Sequence, residues 1–291
     1  MYMEYSVGDL LMSGPVRDIL CYHNISNDIW GGPNPPYHRH DGYEIYLFIR
    51  GHTKIYVEQS CYQMSAGDCI LVKPGQLHRS IIEDTETYER IGINITEEAL
   101  AMLSSRSTNL LACFHAYAGG EGSGIIHLSA YDMDRYIKLV DRYLKSSRSN
   151  EYGSDLRSIY YFTELLVLIN DLFRDPKVRI YDNVMPEIVS NTMKYVAEHL
   201  TEEILLADIG AALNYSGRYI SLQMKRHTGL SLREYVFDQK IECAKRLLAQ
   251  GGSVSDACYA AGFHDYANFL RSFKKKTGTS PGRYKKELPV N

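Results

Sequence analysis

AGFHDYANFLRSFKKKTG, residues 261–278, is the stretch from which the fold is read. Gly262 and Phe263 form a turn signal and Asp265 is a candidate N-cap. About three turns of helical pattern follow, with Phe269, Leu270 and Phe273 on the apolar side. Off that side stand Tyr266, Asn268, Arg271, Lys274, Lys275 and Lys276. Aromatic, amide and guanidinium groups near the start of a short helix, followed by a run of cations, are the groups that read base edges and neutralise phosphates. The stretch predicts a DNA recognition helix.

It is the second copy of a unit. When residues 205–231 are set beside 253–280, Asp208 pairs with Asp256 and Ala212 with Ala260, 48 positions on. After one extra residue near His264, Ile220 pairs with Phe269, Met224 with Phe273, Lys225 with Lys274, Thr228 with Thr277 and Gly229 with Gly278, 49 on. Each copy reads as a short helix, a tight turn at Asn214 or Gly262, and a second helix opened by Ser216 or Asp265. Ala212 and Ala260 are expected where the two helices touch, because steeply crossing helices need a small residue there. Residues 231–250 form one long amphipathic helix able to bridge the units through Leu232, Tyr235, Val236, Ile241, Ala244, Leu247 and Leu248. Such a spacer would present two recognition helices about one turn of DNA apart, ~34 Å.

The doubled unit, the linking QKIECAKRLL, the AGF turn and the terminal FKKKTGTSPGRYKK together resemble the AraC/XylS family of transcription regulators over roughly residues 187–288. Carried over by position, the resemblance implies that Arg218, Ser221 and Leu222 in the first unit, and Tyr266, Asn268 and Arg271 in the second, face bases. Arginine suits guanine O6/N7 and Asn268 suits adenine. Leu222 departs from the longer polar residue often found there, and reads at most a thymine methyl. Ser216, Lys225, Lys274, Lys275 and Arg283 form the implied phosphate-contacting group, with Thr228 and Thr277 as capping or packing residues.

The charge distribution agrees. The net charge is −3, but residues 183–291 hold 15 basic against 11 acidic residues, leaving 17 against 24 for the rest. Within 218–286 the balance is 14 to 5, which points to one nucleic-acid-binding end on an acidic chain. The apolar runs are far shorter than the ~18 residues of a membrane span, and the start, MYMEYSVGDL, lacks the pattern of a signal peptide. A cytoplasmic, non-membrane protein is expected. Six cysteines without CxxC spacing argue against a zinc finger or a disulfide scaffold and predict reduced, mostly buried thiols. The absence of a P-loop, nucleophile elbow or HExxH leaves no catalytic residue to name.

Ahead of this lies a β-rich region. YEIYLFIR, TKIYVEQ, CYQMSAGD, CILVKPGQLH, SIIE and YERIGINI are short apolar runs punctuated by Gly, Pro and Asp, which predict an antiparallel sandwich or barrel. Residues 1–34 read as an arm with short strands, and 96–125 combine a helical start with a Gly-rich loop. Residues 131–145 and 156–173 read as helices, the second apolar on more than one face and suited either to its own domain and a partner subunit or to burial within a single chain. Residues 174–186 read as a linker.

HRHDGYE and GDCILVKPGQLH carry His38, His40, Glu44 and His78, and resemble the two motifs of the cupin barrel. In metal-binding cupins these four positions ligate a divalent ion, a donor set suited to Fe, Mn, Zn or Ni. Ile82 departs from the Asn common in the enzymes. The resemblance leaves open a divalent metal, a polar ligand pocket or purely structural histidines; in each case these residues mark the barrel interior, with Tyr46, Tyr56 and Arg39 as neighbours.

The expectation is thus an α+β protein. It comprises an N-terminal cupin-like antiparallel β-barrel with a helical dimerisation segment (1–173), a linker (174–186) and an all-α tandem helix-turn-helix domain (187–291). The resemblance implies a ligand-responsive transcription regulator, an activator more readily than a repressor. Its effector would be a small molecule such as a sugar or carbon-source metabolite, and its partners double-stranded promoter DNA, RNA polymerase and a second copy of itself. The alternative is a cupin metalloenzyme fused to a DNA-binding domain.

Overall fold

In YEIYLFIR, alternate residues must point to opposite sides of a strand, yet Ile45, Tyr46, Leu47 and Phe48 are all buried. That strand needs cover on both faces, and the fold supplies two different covers. The computed structural model describes residues 19–26, 37–83, 88–115, 124–174 and 182–287. Most of the arm expected over 1–34, and residues 175–181 of the expected linker, lie outside them.

The chain divides into two units, Met1–Val184 and Met185–Asn291. The first contains strands β1 (Ile19–Ser26), β2 (Tyr43–Arg50), β3 (Thr53–Val57), β4 (Ser60–Gln63), β5 (Asp68–Val72), β6 (His78–Ile82) and β7 (Tyr88–Ile95), then helices α1 (Glu97–Leu103) and α2 (Ala112–His115). Strand β8 (Gly124–His127) and helices α3 (Ala130–Ser147) and α4 (Ser154–Arg174) complete it. The strands form two antiparallel sheets, ordered β1-β7-β2-β5-β8 and β4-β3-β6. Ile45, Leu47, Cys69, Leu71, Ile91 and Ile93 pack on one side against Tyr136, Val140, Phe162, Leu165 and Ile169 of α3 and α4. Tyr46, Phe48, Ile70, Val72 and Tyr88 face the other way, onto Ile55, Val57 and Tyr62 of the second sheet and the adjoining Met64, and make the barrel interior. Asn170 interrupts the apolar α4 without loss because its amide is satisfied: Oδ1 accepts from Cys113 N (2.9 Å) and Nδ2 donates to Leu110 O (3.0 Å), tying α2 to α4. Strand β8 straddles the end of the 96–125 region, and its four residues are too few to show an alternation.

The second unit contains α5 (Glu187–Glu198), α6 (Leu206–Leu213), α7 (Gly217–Thr228), α8 (Leu232–Ala249), α9 (Val254–Ala260), α10 (Tyr266–Thr277) and α11 (Pro281–Glu287). The sequence repeat becomes a structural one. Asn214 (φ 57°) and Gly262 (φ 81°) both take the left-handed turn. Ser216 and Asp265 both cap, accepting from Tyr219 N and Asn268 N. Thr228 and Thr277 donate to Met224 O and Phe273 O, and accept from Leu230 N and Thr279 N. Ile220, Met224, Phe269 and Phe273 are fully buried, and truncating either Phe is expected to destabilise by about 3–5 kcal/mol. Helix α8 opens with a full capping box, Ser231 with Glu234, and packs against α7 and α9.

One expectation fails here. Ala212 and Ala260 are exposed rather than seated at a helix contact. The buried ridges hold Ile209 in the first unit and Ala257 and Ala261 in the second. An α-helix turns 100° per residue, so the ridge follows the i, i+4 row and leaves the neighbouring alanines outside it.

Five of the six cysteines are buried, Cys243 is half-buried, and all are free thiols. Burial pushes the Cys113 thiol up to about 12, which keeps it protonated and inert.

Candidate functional site

Two recognition helices emerge from the local chemistry described above. With Phe269 and Phe273 pinned inward, α10 turns Tyr266, Asn268, Arg271, Lys274 and Lys275 to the exposed side. On α7, inward Ile220 and Met224 leave Arg218, Leu222 and Lys225 exposed and Ser221 half-buried. Leu222 is 61% exposed, a large apolar side chain offered to solvent. The Ser216 hydroxyl accepts from the Tyr219 amide at 3.2 Å, so it serves the helix end first. Arg283 is exposed on α11.

The structure separates cations that the sequence presents as one cluster. Lys276 is paired with the buried Asp238 of α8 at 2.8 Å. Lys285 donates to Gly251 O and Gly252 O just beyond α8. Both hold the fold together. Lys225 lies 3.6 Å from Glu234, an exposed and therefore weak pairing. Sequence reasoning missed Tyr219, exposed on α7 with its ring centroid 5.7 Å from that of Tyr215. Its spacing of three from Leu222 was the available signal, since residues three apart share a helix face.

Inside the barrel, β2 and β6 bring Glu44 and His78 together, and the segment before β2 adds His40. Glu44 Oε2 lies 2.9 Å from His78 Nε2 and 3.2 Å from His40 Nε2. The other nitrogen of each ring is held: His78 Nδ1 by Gln76 O and His40 Nδ1 by Gly42 O, each at 2.9 Å. A carbonyl only accepts, so both Nδ1 atoms carry protons and both Nε2 atoms point at the carboxylate. Burial pushes the Glu44 carboxyl up, but the two imidazoles overcome this and hold it well below the usual carboxylate range. Burial lowers His40 in turn, and its hydrogen bond and attraction to Glu44 more than offset that, raising it.

Four expected ligands become three. His40, Glu44 and His78 offer ligand atoms within 4.8 Å of one another. His38 pairs with His78 through the backbone, His38 N to His78 O and back, and its ring centroid lies 4.5 Å from that of His78 and 6.4 Å from that of His40, but it is not among the residues whose ligand atoms converge. The three that remain fit a divalent ion, and the carbonyls of Gln76 and Gly42 orient the two imidazoles.

Tyr46 does line the interior, hydrogen-bonded to Tyr88. Tyr56 does not. It lies on the opposite face of β3 from Ile55 and Val57, beside Tyr37 at 6.1 Å between ring centroids. Arg39 donates to Gly75 O at 3.0 Å. Sequence reasoning also missed Arg90, whose guanidinium carbon lies 5.4–5.7 Å from the rings of Tyr22, Tyr46 and Tyr88. Among the described residues no helix is long and apolar enough to cross a membrane.

Comparison with known proteins places each half. Residues 209–287 match a helix-turn-helix domain family and residues 30–118 an AraC-like ligand-binding domain family. The Msm operon regulatory protein of Streptococcus mutans is 21% identical over 269 residues, covering 86% of both chains. The lactose operon transcription activator of Staphylococcus xylosus is 20% identical over 251 residues, covering 85% of both. An uncharacterized HTH-type transcriptional regulator of Bacillus subtilis, YtdP, is 32% identical over 120 residues; the match covers 40% of this chain and 16% of that longer protein. With a ligand-binding barrel matched in one unit and a doubled helix-turn-helix in the other, the chain belongs to the AraC family of transcription regulators.

Proposed function

We propose that this regulator senses a small metabolite, a sugar or another carbon-source compound, in the barrel of residues 1–173. On this reading residues 187–291 bind promoter DNA, joined to the barrel by a linker over 174–186. The observation that carries it is the pair of identically capped and turned helices, α7 and α10, each with a free polar face. The name of one relative, the lactose operon transcription activator, supports the effector class and the activator reading. Arg218, Ser221, Leu222, Tyr266, Asn268 and Arg271 read bases; Ser216, Lys225, Lys274, Lys275 and Arg283 contact phosphates. The cytoplasm is its compartment and RNA polymerase its partner in activation. A second copy joins through α3 and α4, whose exposed Tyr131, Leu156 and Tyr160 are large apolar side chains in solvent. Effector binding shifts the DNA-bound population by its differential affinity for the two states.

The test is selection of binding sites from random duplexes with the full chain, followed by anisotropy titration across salt. A selected sequence, and affinity falling steeply as salt rises, are expected. Salt-independent or absent binding would sink the proposal.

The Nε2 orientation of His40 and His78 favours one addition. A divalent ion bound there would be held by His40, Glu44 and His78, and would supply Lewis acidity toward an effector oxygen. Metal analysis of the purified chain tests it. Stoichiometric metal that is lost in His78→Ala supports the site, and substoichiometric metal indifferent to that substitution removes it.

A further inference from the structure

We propose that Arg90 is the anion-holding group of the barrel, and that the effector carries a carboxylate or a phosphate. This deepens, and rests on, the ligand-sensing reading above. Arg90 lies on the inward face of β7 with Tyr88, and the ladder sets Gly92 between Tyr22 of β1 and Tyr46 of β2. Three tyrosine rings therefore surround one guanidinium. Gly92 makes this possible, since a Cβ there would lie 2.3 Å from Tyr22 Cζ. The residue keeps part of its surface open, while its Nε is shielded and has no hydrogen-bond partner. Asn24 stands directly across the ladder from Arg90, and its Oδ1 is likewise shielded and unpartnered.

The charge balance is what selects an anion. Arginine stays protonated at any working pH and presents five donors. Tyrosine rings position such a group through their faces but supply little negative charge. Among the described residues no carboxylate pairs with Arg90. Its neighbour Glu89 is engaged by His23 and Arg50, at 2.9 and 3.0 Å. Glu44, on the same inward face, is engaged by His40 and His78, at 3.2 and 2.9 Å. A half-buried cation held by rings and lacking a counter-charge is completed by a ligand carboxylate or phosphate, which accepts bidentate, charge-assisted hydrogen bonds. A neutral hydroxyl would leave the charge uncompensated.

The experiment is a thermal-shift series on the full chain without DNA, at constant ionic strength. The probes are inorganic phosphate, acetate, and the matched set glucose, glucuronate and glucose 6-phosphate. An anionic probe should raise the wild-type Tm by about 5–10 °C at roughly a hundredfold excess over its dissociation constant, with glucose inactive. Arg90→Met should abolish the rise, and Arg90→Lys, which keeps charge but loses the fork, should keep part of it. The carboxylate and phosphate probes separate the two headgroups. Without probes, Arg90→Met should melt within about 2 °C of wild type or above it, because an uncompensated cation contributes little stability. Four results overturn the proposal: glucose shifting as well as glucuronate, no anionic probe shifting the wild type, an anion shift undiminished in Arg90→Met, or a collapse of the unliganded variant's Tm. DNA binding by the wild type is scored separately, so its failure would strike the regulator reading and leave the anion result standing.

Discussion

Gly262→Ala should damage the DNA-binding unit far more than a glycine-to-alanine change with the same backbone angle elsewhere. Gly262 has φ 81°, in the left-handed region, where a Cβ costs about 1–2 kcal/mol. A Cβ there would also lie 2.4 Å from Leu200 O and 2.9 Å from Thr201 Cα. Both are backbone atoms, so the connection between α5 and α6 must move, an overpacking cost of about 1–3 kcal/mol. Lys240 Nζ bridges the same junction, donating to Gly262 O at 2.8 Å and Glu202 O at 3.3 Å. Any shift weakens those bonds too. The total is about 2–5 kcal/mol, before the weakened Lys240 bonds, out of a typical 5–15. Gly278 is the internal control: its φ is 79°, but a Cβ there meets nothing within 4 Å. Gly278→Ala should lose only the left-handed term, about 1–2 kcal/mol. Urea unfolding of residues 183–291 followed by far-UV circular dichroism gives both values. Equal losses for the two variants would refute the steric reasoning.

Three further outcomes are expected. Arg271→Ala should weaken binding to the selected site by about 1–3 kcal/mol and to random DNA much less; an equal loss on both, by anisotropy, would remove it from base reading. Lys275→Ala should lower the salt slope of DNA binding by about one, whereas Lys276→Ala, which breaks the pair with Asp238, should lower thermal stability. The reverse pattern would contradict the division of the cations. For the chelator-treated chain, Glu44, depressed in the fold, contributes stability above its ordinary 4.5 that is lost as pH falls through the folded value. His40, raised in the fold, contributes below its ordinary 6.5 and loses that as pH rises through its folded value. Barrel stability should therefore be greatest between about pH 4.5 and 6.5. His40→Ala should flatten the alkaline side in a Tm-against-pH series, and a wild-type Tm that climbs steadily from about pH 6 to 8 would count against the His40–Glu44 pair.

The helix-turn-helix half was legible in the sequence because its determinants are local. The turn at Asn214 or Gly262, the cap at Ser216 or Asp265, and the pinned pair Ile220 and Met224 or Phe269 and Phe273 are set by residues a few positions apart. Local spacing fixes which side of α7 and α10 is free, so the residues on their exposed faces were legible from it. The misplaced contacts, Ala212 and Ala260, show the limit: the sequence says where the helices are, and the packing ridge between them is a property of both. In the barrel, short apolar runs punctuated by Gly, Pro and Asp marked the strands, and HxH with Glu44 and His78 marked the site. Which of those residues converge was decided by how the two sheets face each other and by register within them. The facing of the sheets put Glu44 of β2 and His78 of β6 together, while alternation along β3 turned Tyr56 away from the interior. Register within the larger sheet set Tyr22 of β1 and Tyr46 of β2 beside Tyr88 and Arg90 of β7, on strands whose sequences give no sign of one another. Local periodicity determines an element and its faces, and only the closed tertiary structure determines which faces meet and what charge is left unmatched between them.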